Sequence, residues 1–271
     1  MSGAWCYVNG QYVRAEHAHI SVFDLGLLRG HGVFDLLRTY QGRPFQMQDH
    51  LERLRRSAER ASVELPLSLP EIASVIESLL QRNGFAETTV KIVATGGRSS
   101  DHLLPQGPGS LIVLASPLTP FPERLYREGV RLSTTTQARS LPEAKTLQYL
   151  PAILALREGQ MRGAQEALYV NARGELLEAT TSNFFACVGG QWVTPPEGEI
   201  LAGVTRATLL RLTEISVRPL HKEEELEEAF ITSTTREIMP VSAIDERPIP
   251  LGERTRQLQA LFRRHALRGD K

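Results

Sequence analysis

Ser140-Leu141-Pro142-Glu143-Ala144-Lys145-Thr146-Leu147-Gln148-Tyr149 is the stretch whose reading decides the fold. Of 31 basic residues only four are lysines, Lys91, Lys145, Lys222 and Lys271, so a chain that prefers arginine keeps a primary amine here. An amine acts as a nucleophile and a guanidinium does not. Leu147, Leu150, Ile153, Leu154 and Leu156 predict a mostly apolar helix ending at Gly159. That puts Lys145 at or just before the first turn, buried enough to lower an amine pKa. Spacing alone reads equally well as a chance lysine at a helix start.

Ala167-Leu168-Tyr169-Val170-Asn171 and Glu175-Leu176-Leu177-Glu178-Ala179-Thr180-Thr181-Ser182-Asn183-Phe184-Phe185 follow, two strands around an Ala172-Arg173-Gly174 turn. Glu178 sits inside an apolar and hydroxyl-rich strand, where a carboxylate needs a partner. The pattern A-K-T-L-x-Y-L, then L-x-V-N-x-x-G-x-L-x-E-x-T-x-S-N-x-F, resembles the fold-type IV pyridoxal-phosphate enzymes. That family includes branched-chain and D-amino-acid aminotransferases and aminodeoxychorismate lyase. The resemblance runs from about Phe23 to Val241. It implies pyridoxal 5'-phosphate as cofactor, Lys145 as its Schiff-base lysine and Glu178 as the carboxylate facing the pyridine nitrogen.

The chain has 271 residues, 41% of them hydrophobic, enough for one large domain or two modest ones. Charge balances at zero with a pI near 7.1, which leaves no electrostatic footprint for nucleic acid or an anionic membrane. Two cysteines, Cys6 and Cys187, suit a reducing compartment. Trp5 to Val13 reads as a strand, with no basic start and no apolar run of signal-peptide or membrane-spanning length. The expectation is a soluble cytoplasmic protein. Asn9-Gly10 marks a type I′ hairpin, and Asp49-His50-Leu51-Glu52 a capping box opening a helix. A second helix runs from Pro70 to Asn83-Gly84, and strands are expected at Thr88 to Thr95 and Ser110 to Ser116. Pro117, Pro120 and Pro122 then break every periodicity. We therefore expect a smaller N-terminal α/β domain over 1–116, a linker over 117–122 and a larger C-terminal cofactor-binding domain over 123–271. The second half also predicts a strand from Gly129 to Gln137, an acidic helix from Glu223 to Ala229 and a strand from Phe230 to Thr235. The class is α/β (α+β), and the absence of a G-x-G-x-x-G after a strand argues against a Rossmann sheet.

A dianionic phosphate is best held by N–H groups at a helix start, with hydroxyls and one arginine. Gly203-Val204-Thr205 opens a helix, and the resemblance makes Val204 and Thr205 phosphate ligands; alone, such a start is an ordinary cap. Ser233 and Thr234 match the family's second phosphate loop, though such residues also simply build strands. Arg53 matches the family's H-x-x-R-L arginine; without the family it reads as a surface residue. Tyr149, four residues after Lys145, is placed to reach the ring-hydroxyl region or to fill the core. Thr181 and Asn183 fit positions supporting the ring and the glutamate.

Substrate recognition departs from the family's familiar patterns. Arg29 stands in a glycine-rich stretch where an aromatic or apolar residue is expected. The loop that carries R-x-H in D-amino-acid enzymes reads Ser100-Asp101-His102, with Arg98 two residues upstream. Arg29, Arg98 and His102 are candidates for the α-carboxylate and Arg38 for a distal one; exposed loop arginines are the other reading. The resemblance implies a homodimer whose sites lie at the subunit interface, with Arg29 supplied by the neighbouring chain. The expected activity is transamination between a D-amino acid, such as D-alanine or D-glutamate, and 2-oxoglutarate or pyruvate. A branched-chain L-amino-acid aminotransferase is the alternative, then an aminodeoxychorismate lyase and, last, a non-enzymatic cofactor binder.

Overall fold

The computed structural model describes residues 3–137 and 139–268. Contacts group the described residues into two compact units, 3–119 with 144–148, and 120–143 with 149–268. The segment carrying Lys145 thus groups with the first unit.

In the first unit six strands form an antiparallel sheet in the order Gln11–Arg14, Trp5–Val8, Ser110–Pro117, Thr88–Thr95, Gly32–Tyr40, Arg43–Pro44. The hairpin at Asn9-Gly10 has both residues at positive φ, as a type I′ turn requires. Period-2 alternation sends Val33 and Leu37 of one strand and Val90, Ile92 and Ala94 of its neighbour to one face. There they meet Leu51, Leu54 and Ala58 of the helix Met47–Arg60 and Ile72, Ile76 and Leu79 of the helix Leu69–Asn83. The capping box belongs to the second helix, where Ser68 and Glu71 bond reciprocally. The first helix starts two residues before the Asp49 expected to cap it, at a left-handed Gln46. Asp49 instead lies in its first turn, a place the helix dipole favours.

The second unit holds a mixed ten-stranded sheet. Its middle runs Ser182–Val188, Glu228–Ser233, Glu237–Ile244, Val130–Thr135, Glu166–Val170, Glu175–Ala179. Glu175–Ala179 also pairs with Ser182–Val188, so these six strands close into a circuit around one core of Leu132, Leu168, Phe184, Ile231 and Val241. Helix Glu253–Arg268 is held at its start by buried Glu228, which accepts from Thr255 N at 2.8 Å and Thr255 Oγ1 at 2.6 Å. The acidic helix expected at Glu223 to Ala229 does not form. Glu228 begins a strand, and its carboxylate is committed to that cap. The helix expected to begin at Lys145 starts at Leu150 instead. Leu147 N donates to Gly32 O at 2.9 Å and Phe34 N to Lys145 O at 2.9 Å, so the intervening residues are extended against the strand Gly32–Tyr40. Tyr149 is accordingly the helix N-cap rather than a residue one turn beyond Lys145.

A buried ion pair ties that strand to the first helix. Asp35 is fully buried, accepting from Arg53 Nε at 2.8 Å, Arg53 Nη2 at 2.8 Å and His50 Nδ1 at 2.7 Å. Burial works to raise its carboxyl, but Arg53 and His50 outweigh it and hold it well below the ordinary carboxylate range. Burial also lowers His50, so at neutral pH the uncharged ring donates through Nδ1–H. With Asp35 depressed in the fold, its contribution is full above about pH 4 and fades only as pH falls through the lower folded value. Arg53→Met leaves the carboxylate buried and unpaired, which costs about 3–5 kcal/mol. Urea titration across pH is expected to show that loss at pH 7 and a smaller one below pH 4, where Asp35 is protonated in the variant. An equal loss at both pH values would contradict the assignment.

Candidate active site

In the first unit Lys145 is half-buried, its backbone fixed to the strand Gly32–Tyr40 and its N–H donating to Ser57 Oγ at 3.1 Å. Its Nζ lies 4.7 Å from the Phe34 ring centroid. Gly32 is required there, since a Cβ would meet Leu147 Cδ1 at 2.6 Å and Ala94 O at 2.7 Å. Arg53 is 5% exposed. Asp35 takes Nε and Nη2, which leaves Nη1 without a partner among the described residues and able to meet an anion.

Among the arginines, Arg29 closes the short helix Leu25–Arg29 and donates from Nε to His102 O at 2.9 Å. The His102 ring stacks on Phe23, centroids 5.5 Å apart. The structure therefore brings Arg29 and His102 together. Arg98 lines a cavity of about 660 Å3 with Tyr7, Asn9, Leu67 and Gln106; neither Arg29 nor His102 lines it. Arg38 lies over the Tyr40 ring at 4.1 Å and donates to Thr39 O at 3.3 Å.

The second unit presents a polar row on the face of its sheet away from the core. Glu175–Ala179 and Glu166–Val170 pair out of step, Ala179 opposite Leu168 but Leu176 opposite Val170. That bulge puts both Leu176 and Ala179 into the core and so turns Glu178 out of it. Glu178 is 3% exposed, and its two oxygens accept from Arg139 Nη1 at 2.7 Å and Asn183 Nδ2 at 3.1 Å. It is a buried acceptor held in a fixed orientation. Asn183 also donates to Leu201 O at 2.8 Å, and a Cβ on Gly203 would lie 1.9 Å from its Oδ1. Glycine therefore lets the start of the helix Val204–Leu212 approach this face. Thr205 is buried in that first turn. Arg206, 2% exposed, fixes the chain entering it, donating to Pro195 O at 3.0 Å; burial lowers its pKa, which Glu197 opposes.

Asn183 pairs with Thr232, which leads into Ser233 and the half-buried turn containing Thr234. Arg236 binds this turn to its neighbours, donating to Thr181 Oγ1 at 2.7 Å and Ser182 Oγ at 3.2 Å and pairing with Glu166 at 2.7 Å. Thr181 in turn donates its hydroxyl proton to Glu166. It supports the turn and has no proton left to offer a ligand. Tyr149 is half-buried at the start of the helix Leu150–Met161.

Tyr169 Oη and Thr232 Oγ1 are buried on the Glu178 face with no hydrogen-bond partner among the described residues. Orphaned hydroxyls, a buried acceptor and a close-approach glycine fit a bound ring bearing a phosphate. Arg139, Tyr169, Glu166, Arg236 and the Asp35–His50 pair were not singled out from the sequence. Their significance lies in strand pairings and burial that no local spacing reveals.

The model of the amino-transferase class IV family matches residues 32–244. A putative branched-chain-amino-acid aminotransferase of Methanocaldococcus jannaschii is 34% identical over 95% of this chain and 94% of its own. A D-alanine aminotransferase of Staphylococcus epidermidis is 31% identical over 96% of each. Among solved structures, the branched-chain aminotransferase of Thermoproteus uzoniensis with norvaline superposes with a TM-score of 0.91, 29% identity and 99% and 96% coverage. The T.th. branched-chain amino acid aminotransferase with pyridoxamine 5'-phosphate gives 0.92, 27% identity and 98% and 95% coverage. The chain belongs to the class IV aminotransferases, enzymes that depend on pyridoxal phosphate.

Proposed function

We propose that this aminotransferase moves the amino group between a D-amino acid, D-alanine or D-glutamate, and 2-oxoglutarate or pyruvate. The observation that carries this reading is the guanidinium of Arg29 held at His102 in the loop region where D-specific members keep their carboxylate-binding pair. An α-carboxylate is well served by such a charged donor. Arg98, which lines a cavity that Arg29 and His102 do not, is left out of this carboxylate site, and Arg38 is assigned the distal carboxylate of a dicarboxylic substrate. The M. jannaschii relative favours branched-chain L-amino-acid transamination as the second reading.

Bound pyridoxal phosphate supplies an electron sink for charge developing at the substrate Cα. In our assignment Lys145 would hold the cofactor through its amine and would serve as the group that moves a proton at the substrate Cα. Glu178, held by Arg139 and Asn183, keeps the ring nitrogen protonated. Val204, Thr205, Ser233, Thr234 and Arg53 hold the phosphate, and Tyr149 faces the ring. We further assign a homodimer with its sites at the subunit interface. The supporting surface lies in the first unit, where Val22, Phe23, Leu27, Leu28, Leu103 and Leu104 are exposed around the Arg29–His102 contact. Two buried unpaired cysteines, Cys6 and Cys187, suit the cytoplasm.

Borohydride reduction of the cofactor-loaded protein followed by peptide mapping is expected to place the phosphopyridoxyl group on Lys145; label on any other lysine, or none, ends this assignment. Sedimentation at assay concentration should give a dimer, and a fully active monomer would contradict it. In single-turnover reaction with each amino acid, D-alanine is expected to convert the cofactor to its amine form faster than L-leucine. Arg29→Ala should raise the Michaelis constant for D-alanine about 10–100-fold, the worth of a charged hydrogen bond. Preference for L-leucine would establish the branched-chain reading instead.

A further inference from the structure

Tyr169 stands at one end of a polar row whose order along the sheet is fixed by strand pairing. Its neighbours Leu168 and Val170 enter the core of the second unit, so Tyr169 points to the opposite face, the one Glu178 occupies. The strand of Tyr169 pairs with that of Glu178, which pairs with that of Asn183, which pairs with that of Thr232. Gly203, opening the candidate phosphate helix, abuts Asn183. The row therefore reads Tyr169, Glu178, and then the Asn183, Gly203 and Ser233 side.

That order matches the substitution pattern of the pyridoxal ring. Its nitrogen lies between two arms, one bearing the phosphate and the other the ring oxygen, each attached at the second ring atom away. With Glu178 at the nitrogen and the phosphate toward Gly203 and Ser233, the ring oxygen falls on the Tyr169 side. We propose that the Tyr169 hydroxyl donates a hydrogen bond to the ring oxygen of bound pyridoxal phosphate; this rests on the cofactor assignments made above.

Tyr169 is 3% exposed, and its hydroxyl has no partner among the described residues. A buried unsatisfied donor is costly, and phenylalanine would fill the same space without that cost. Burial, opposed by Arg139 and reinforced by Glu178, raises the phenol to about 12, so it stays protonated and can only donate to an anionic oxygen.

The test compares wild-type and Tyr169→Phe apoproteins, each titrated with pyridoxal phosphate and with its 3-O-methyl ether, whose capped oxygen is a much poorer acceptor. Tyr169→Phe is expected to raise the melting temperature of the apoprotein by about 2–4 °C, because it removes an unsatisfied group. It should weaken pyridoxal phosphate about tenfold while both proteins bind the ether alike. A tyrosine that merely packs would show a lower apoprotein melting temperature and unchanged cofactor affinity, and that result overturns the proposal. So does an equal loss for both ligands. Wild-type protein that takes up no pyridoxal phosphate would refute the underlying cofactor assignment and not the role of Tyr169 within it.

Discussion

A carboxylate that is only 3% exposed constrains everything around it, and Glu178 is that group here. Burying such a charge costs several kcal/mol unless it is paired and hydrogen-bonded. Arg139 and Asn183 meet both of its oxygens, and each partner has further consequences. Asn183 reaches Leu201 O as well, which holds the chain entering the helix Val204–Leu212, and its side chain stands where any residue but glycine at 203 would collide. The acceptor and the start of the helix Val204–Leu212 are thus positioned by one amide. The register shift that turns Glu178 away from Leu176 and Ala179 is the local feature on which this depends. A regular pairing would have aimed the carboxylate at the core.

The first unit solves a related problem with a second buried acid. Asp35 sits on the core face of its strand, where Val33 and Leu37 would otherwise continue an apolar row. Arg53 from the facing helix neutralises it while His50 donates a hydrogen bond, and the ion pair orients Arg53. An arginine fixed at two of its nitrogens presents the third with little entropy left to lose on binding an anion. The extended run through Lys145 uses the edge of this same strand through backbone bonds to Gly32 and Phe34. The amine is therefore carried on a strand-bound segment, which fixes its origin more firmly than the end of a helix would.

Much of this was legible in the residues themselves. One of only four lysines in an arginine-rich chain, a glutamate amid hydroxyls and a glycine before a helix start stand out locally, and the family resemblance gave each its expected role. The hairpin at Asn9-Gly10 and the stop at Gly84 follow from positive φ, which few residues tolerate. The misreadings have physical causes too. Leu147 imitates the first apolar position of a helix, but its contact is Gly32 across a backbone pairing. Glu223 to Ala229 has helical composition, yet buried Glu228 caps a helix that begins 25 residues later, and that tertiary demand overrides propensity. Arg53, plausible as a surface residue by spacing, is buried because Asp35 lies opposite. Arg139 and Tyr169 acquire meaning only when strands far apart in sequence are paired.

The claim on which the account turns is that Glu178 faces the ring nitrogen of the cofactor and holds its proton. Nitrogen-15 resonance of ring-labelled pyridoxal phosphate bound to the protein reads that proton directly. The wild-type signal should lie at the pyridinium position, and Glu178→Gln, which keeps the shape but not the charge, should move it to the unprotonated position at the same pH. A ring nitrogen in the same protonation state in both proteins would contradict the assignment of Glu178.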